Sequence, residues 1–171
     1  NHYYVSTYVL VVPEDGPLAG VETLADPALE GTRLGVIAGS PPASHLARRG
    51  LIGKAKPYAL HVDRRHESPN EEMIADVVSG EIDGALMWGP LGGWLAKEAD
   101  AGLRVVPLIG ETEPPRLFYR ITMGVRQGEL VWKRKLNSLL RRNQAEIDAI
   151  LADYGVPLLE DFGGGLKEVG Q

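Results

Sequence analysis

Residues 3–12 (YYVSTYVLVV) combine β-branched and aromatic side chains and are closed by Pro13, which predicts a long strand. The polar run Glu14, Asp15, Gly16, Pro17 reads as a turn. Residues 24–29 predict a short helical turn, and residues 33–37 (RLGVI) form the compact apolar run of a buried parallel strand. That run breaks at Gly39-Ser40-Pro41, where Ser40 suits a helix N-cap and Pro41 the first helical position. Ala43, Leu46 and Ala47 give this helix an inner face, His45 falls on its water-facing side, and Gly50 stops it.

Residues 58–62 predict the next strand, and Ser68 to Glu71 has the form of a capping box. Met73, Ile74, Val77 and Val78 make the inner stripe of the helix behind it. Residues 83–88 (DGALMW) are again strand-like. Gly89-Pro90 then opens a helix whose apolar face reads as Leu91, Trp94, Leu95 and Ala99. Two strands follow at 103–109 and 117–125. One long helix over 129–154 is predicted from Trp132, Leu136, Leu139, Leu140, Ile147, Ile150 and Leu151 at helical spacing. Strand–helix repeated three times argues for a parallel α/β layer with right-handed crossovers, bracketed by two long strands. The tail, 158–171, with Gly163-Gly164-Gly165, is expected to be extended or mobile.

A length of 171 residues and a hydrophobic fraction of 44% fit one domain, or one domain with part of another. The net charge is −5, and Arg48-Arg49, Arg64-Arg65 and Arg141-Arg142 are isolated pairs, so nucleic acid is not an expected partner. With no cysteine, disulfides, thiolate nucleophiles and Cys-based zinc sites are excluded. No apolar stretch reaches the ~18–20 residues of a membrane helix. The chain opens on Asn1-His2-Tyr3-Tyr4, without an initiator Met or a signal-peptide pattern, and the expectation is that an upstream part is cut away or lies elsewhere.

No enzyme constellation emerges. There is no G-x-S-x-G elbow and no phosphate-cradling glycine loop with a lysine. His61, Asp63 and His66 lack a fourth ligand and read as a solvated loop rather than a metal site. Ser40 has two open readings, a plain helix cap or an anion contact at the helix N-terminus, and Pro41 and Pro42 remove two donors from the latter. No cofactor, no metal and no catalytic residue is predicted.

The order of segments resembles the type II periplasmic solute-binding proteins, in particular those that bind amino acids. Residues 8–12 resemble the first strand crossing between lobes, and 24–36 resemble the start of the second lobe. Residues 80–85 (GEIDGA) resemble the step into the return strand, and 121–126 (ITMGVR) the strand leading back to the first lobe. The run 87–94 (MWGPLGGW), with 147–157 (IDAILADYGVP), is similar to the subfamily associated with quinoprotein methanol dehydrogenases, the XoxJ/MxaJ type.

The resemblance implies an α/β fold with one complete lobe, its hinge strands and part of the other lobe. Residues 1–12 would be the first crossing strand and 13–110 the second lobe. Residues 111–157 would be the return strand and helix, and 158–171 the tail. It implies a periplasmic, non-catalytic accessory protein that assists a PQQ-dependent alcohol dehydrogenase through binding. The alternative is a receptor of an ABC transporter for a small polar solute. Trp88 falls where the amino-acid binders place the acid that pairs with a ligand ammonium, so an α-amino acid ligand is not expected. Ser40, Trp88, Trp94 and Arg126 are the expected ligand or partner contacts. Apolar surface left without its lobe implies an associated N-terminal fragment or a homodimer.

Overall fold

The computed structural model describes residues 1–63 and 65–169; Arg64, Gly170 and Gln171, within the basic pair and the tail considered above, lie outside the described residues. One mixed sheet organises the chain, in the order β3-β2-β4-β1-β5 with β6 added along β1. The strands are β1 (His2–Pro13), β2 (Leu34–Ile37), β3 (Lys56–Tyr58), β4 (Gly84–Trp88), β5 (Leu103–Pro107) and β6 (Phe118–Thr122). The helices are α1 (Pro41–Arg48), α2 (Pro69–Ser79), α3 (Gly89–Ala99), α4 (Leu130–Arg142) and α5 (Gln144–Asp153). β2 pairs in parallel with both β3 and β4, as the repeated strand–helix order requires.

β1 serves two zones. Its first half pairs antiparallel with β6, from His2 to Thr7. Its second half lies between β4 and β5, from Tyr8 to Pro13. The handover occurs at Thr7, whose buried hydroxyl reaches the carbonyls of Leu108 (3.1 Å) and Leu117 (3.0 Å). Tyr8 N–H donates to Leu117 (2.8 Å), and its carbonyl accepts from Leu108 N–H (3.0 Å). The chain leaving β5 and the chain entering β6 are therefore tied to the same two residues of β1.

Alternation along the strands feeds two cores. Leu10, Val12, Leu34, Val36 and Leu86 face α1 and the segment around Leu18–Leu29. Val9, Val11, Ala85 and Met87 face α2 and α3 through Met73, Val77 and Ala96. Gly80 ends α2 in the left-handed region, at φ 78°.

Several expectations change. The third strand covers 56–58 rather than 58–62, because Lys56 and Tyr58, two residues apart on one face, both reach Asp76 of α2. Ser68 makes no side-chain cap bond, so the capping box does not form. Val78 is 53% exposed; it lies one residue round the helix from Val77 and misses the core. His45 is buried, not solvated, and donates from Nε2 to the Pro115 carbonyl at 2.8 Å.

The inner face of α3 is Gly89, Gly92, Gly93 and Ala96, with half-buried Leu95 packed on the core as expected, while Leu91 and Ala99 are exposed and Trp94 is half-buried beside Tyr154. The first four fall at i, i+3, i+4 and i+7, one helical stripe made of small side chains. A Cβ on Gly92 would lie 2.7 Å from Val9 Cγ2, and one on Gly89 would strike the Thr7 carbonyl. The helix therefore packs almost backbone to backbone on β1.

The expected single helix over 129–154 is two. Asn143 (φ −109°, ψ 18°) breaks it, and its Nδ2 donates to the Leu139 carbonyl at 2.8 Å. Of the predicted apolar stripe only Leu140 is fully buried; Trp132 (46%) and Ile150 (53%) are exposed. Beyond α5 the described part of the tail is folded, not extended. Leu158 and Leu159 are buried, Leu159 N–H donates to Val5 (2.9 Å), and Lys167 reaches Asp148 at 2.6 Å. The glycine run supplies the turn that brings Leu166 back beside Leu159.

Candidate functional site

The C-terminal ends of β2, β3 and β4 open on one side of the sheet, the position where open α/β sheets hold ligands. A cavity of about 150 Å³ lies there, lined by Tyr8, Ile37, Ser40, Leu86, Trp88 and Leu91, together with Ala59, Leu60, Val62 and the start of α2. None of its described lining residues is charged.

Register builds its aromatic wall. Trp88 is the direct cross-strand partner of Tyr8, and Tyr119 of β6 stands opposite Ser6, two residues back on the same face of β1. The three rings meet edge to face. Tyr8 and Trp88 are 5.3 Å apart at 66°, Trp88 and Tyr119 5.8 Å at 68°, and Tyr8 and Tyr119 6.4 Å at 73°. Burial, and then the neighbouring Tyr119, push the Tyr8 hydroxyl pKa upward, so Tyr8 is a neutral member of this wall. Trp88 thus bridges Tyr8 of β1 and Tyr119 of β6.

Ser40 precedes α1 with extended backbone (φ −80°, ψ 161°) but its hydroxyl caps nothing. Pro41 and Pro42 occupy the first two helical positions and have no N–H to offer. Its Oγ is buried without a hydrogen-bond partner. The same two prolines deplete the donors that an anion would need. Neither the capping bond nor a full anion cradle is built.

The four expected contacts are not together. Ser40 and Trp88 share the cavity. Trp94, further along α3, lies against Tyr154 with ring centroids 4.9 Å apart and planes at 34°. Arg126 is exposed in the loop after β6. Tyr8 and Leu91 line the cavity and Tyr119 packs against its aromatic wall, none of them singled out by the sequence. The period-2 pattern of β1 could have paired Tyr8 with Ser6 and Leu10 on one face, but the partner strand's register is not written in it.

Two polar clusters outside the cavity lining are structural. Glu111, with 2% of its side chain exposed, accepts from Arg49 (2.5 Å), Thr23 Oγ1 (2.7 Å) and Leu24 N–H (2.7 Å). It ties the segment after β5 to the C-terminal end of α1. Asp76 accepts from Lys56 Nζ at 2.6 Å and from the Tyr58 hydroxyl. Lys56, and next Tyr58, hold the Asp76 carboxyl below its ordinary range; burial, and next the Asp76 hydrogen bond, push the Tyr58 hydroxyl up.

Chemically, the cavity suits an uncharged group. A carboxylate or ammonium placed in it would meet no opposite charge among the described lining residues to offset the water it gives up.

No protein-family model matches the chain. The crystal structure of periplasmic binding protein XoxJ from Methylobacterium extorquens AM1 superposes with a TM-score of 0.83 at 44% identity, over 94% of this chain and 72% of that one. MxaJ from Methlophaga aminisulfidivorans MPT superposes with a TM-score of 0.74 at 25% identity, over 93% of this chain and 70% of that one. Protein MoxJ of Methylorubrum extorquens AM1 is 25% identical over 92% of this chain, which spans 56% of that relative's length. An ancestral cationic amino acid solute binding protein, at 18% identity and a TM-score of 0.62, shares the fold. The chain belongs to the periplasmic binding proteins of the XoxJ/MxaJ type.

Proposed function

We propose that the protein is a non-catalytic periplasmic accessory protein of methanol or other alcohol oxidation, assisting a PQQ-dependent dehydrogenase by binding it or a segment of it. The observation that carries this reading is the cavity around Trp88, aromatic and without a charge among its described lining residues, in a fold otherwise shared with amino-acid receptors. An apolar side chain presented by a protein fits such a cavity better than a zwitterion does. PQQ belongs to the dehydrogenase; nothing in the reading gives this chain a cofactor.

In this reading residues 13–110 are the second lobe, β1 and β6 are the hinge strands, and 111–157 return the chain to the first lobe. Ser40 and Trp88 are the contacts in the cleft, while Trp94 and Arg126 would act elsewhere on the surface. Substrate reception for an ABC transporter is the rival, supported by the fold alone.

The test is co-purification of the tagged protein with the cognate PQQ-dependent alcohol dehydrogenase, using wild type and Trp88→Ala. Recovery of the dehydrogenase with wild type, reduced at least about tenfold with Trp88→Ala, is the expected result for a buried aromatic anchor. No recovery, together with a small polar solute that raises the melting temperature, would establish the receptor reading instead.

A further inference from the structure

α4 (LVWKRKLNSLLRR) concentrates five of the chain's 18 basic residues and none of its 23 acidic ones. Lys133, Arg134, Lys135, Arg141 and Arg142 are all exposed, and none forms an ion pair among the described residues. Elsewhere Arg33, Arg49, Lys56, Arg65, Lys97, Arg104 and Lys167 each have a carboxylate within 4.0 Å. Arg48, Lys54, Arg116, Arg120 and Arg126 also form no ion pair among the described residues, but they are scattered along the chain, whereas α4 gathers five such cations on one helix.

Spacing turns these cations into a surface. Arg134 and Arg141 are seven residues apart, as are Lys135 and Arg142, so they form two adjacent rows along one side of the helix. The opposite side turns inward through Leu140, which is buried, and Leu136, which is half-buried. Trp132 lies at the edge, 46% exposed, with the Lys135 ammonium 5.9 Å from its ring centroid.

Local stability does not account for the pattern. Cations in the last turn complement the helix dipole, which covers Arg141 and Arg142. Lys133, Arg134 and Lys135 follow directly on a first turn without any acid, nearer the positive end. A surface charged only for solubility mixes both signs. A helix that lies in a lipid interface buries one continuous apolar side there, whereas in α4 Leu136 and Leu140 turn inward, Trp132 and Leu139 lie at the edge, and Leu130 and Val131 are exposed on the cation side of its first turn.

We infer that the outward face of α4 is a docking surface for an acidic protein, recognised by the two cation rows with Trp132 as the aromatic contact. This rests on the reading that the chain binds a protein partner, and it assigns that partner a patch of Asp and Glu. Electrostatic complementarity of this kind speeds encounter and fades with salt.

The experiment is biolayer interferometry of the full protein against the immobilised PQQ-dependent dehydrogenase, over a salt series. It compares wild type with Arg134→Gln/Lys135→Gln/Arg141→Gln/Arg142→Gln, and with Arg48→Gln/Lys54→Gln as a control for losing exposed cations elsewhere on the surface. The four-fold variant should bind at least about tenfold more weakly at low salt, lose most of the salt dependence, and keep its melting temperature. The control should bind like wild type. Equal binding and equal salt dependence in the four-fold variant overturn this inference and leave the partner reading intact. No wild-type binding at any salt overturns both. Phosphatidylglycerol vesicles bound more tightly than the dehydrogenase, or a self-association removed by the four-fold variant, would assign the face to lipid or to a second copy instead.

Discussion

Gly93 and Gly155 meet backbone to backbone, so closely that a Cβ on Gly93 would overlap the Gly155 carbonyl. Around them Trp94 lies against Tyr154, Lys97 reaches the Asp153 carbonyl, and Ser6 Oγ donates to the Pro157 carbonyl at 2.7 Å. The turn after α5 is thereby fastened to α3 and to the first half of β1. The Gly-Pro-Leu-Gly-Gly run, first recognised as a family signature, is a close-packing device.

Gly93→Ala should therefore destabilise the protein. In an exposed helix the same change gains up to about 1 kcal/mol. Here overpacking against a backbone should cost about 2 kcal/mol or more. For a chain of this size that lowers the melting temperature by roughly 4–8 °C. Calorimetry of the two proteins checks the sign, which is the informative part.

Glu111→Ala should cost about 3 kcal/mol, because it leaves Arg49, Thr23 and the Leu24 N–H without their shared acceptor. Urea denaturation measures it. Truncating the exposed neighbour Glu113, which lies 3.6 Å from Arg49 with 62% of its side chain exposed, should change stability by less than about 1 kcal/mol.

Asp76 gives a pH dependence. Lys56, and then Tyr58, lower its pKa in the folded protein below the ordinary 3.8. A lowered folded-state value means the carboxylate stabilises the fold above the unfolded pKa, and that this is lost as pH falls through the folded value. Asp76→Asn should thus be less stable than wild type near neutral pH, with the gap closing below about pH 4. Denaturant titrations at the two pH values test it; a gap that stays constant would show that the charge is not what matters.

Much of the fold is legible in the pattern of apolar positions. β1, β2, β4 and α2 fall where alternation, compact apolar runs and helical spacing put them. What misled was size. In α3 the large residues Leu91 and Trp94 look like the inner face, but close approach to β1 selects Gly89, Gly92, Gly93 and Ala96. Asn143 carries a weak signal, so the helix break was hidden inside a continuous apolar periodicity. His45 reads as solvated beside two arginines, yet the segment after β5 folds over it. Trp88 could be singled out only through the family resemblance. Its partners Tyr8 and Tyr119 come from strands far apart in sequence, and their meeting depends on the register of three strands.

A receptor-type fold here carries a cavity without a charge among its described lining residues to pair with an amino acid's ammonium or carboxylate. The most direct measurement is the melting temperature with saturating L-amino acids, taken singly from the acidic, basic and polar classes. No change is expected with any of them. A saturable rise of roughly 5–10 °C, which a ligand at a hundred times its Kd would give a chain of this size, would contradict it.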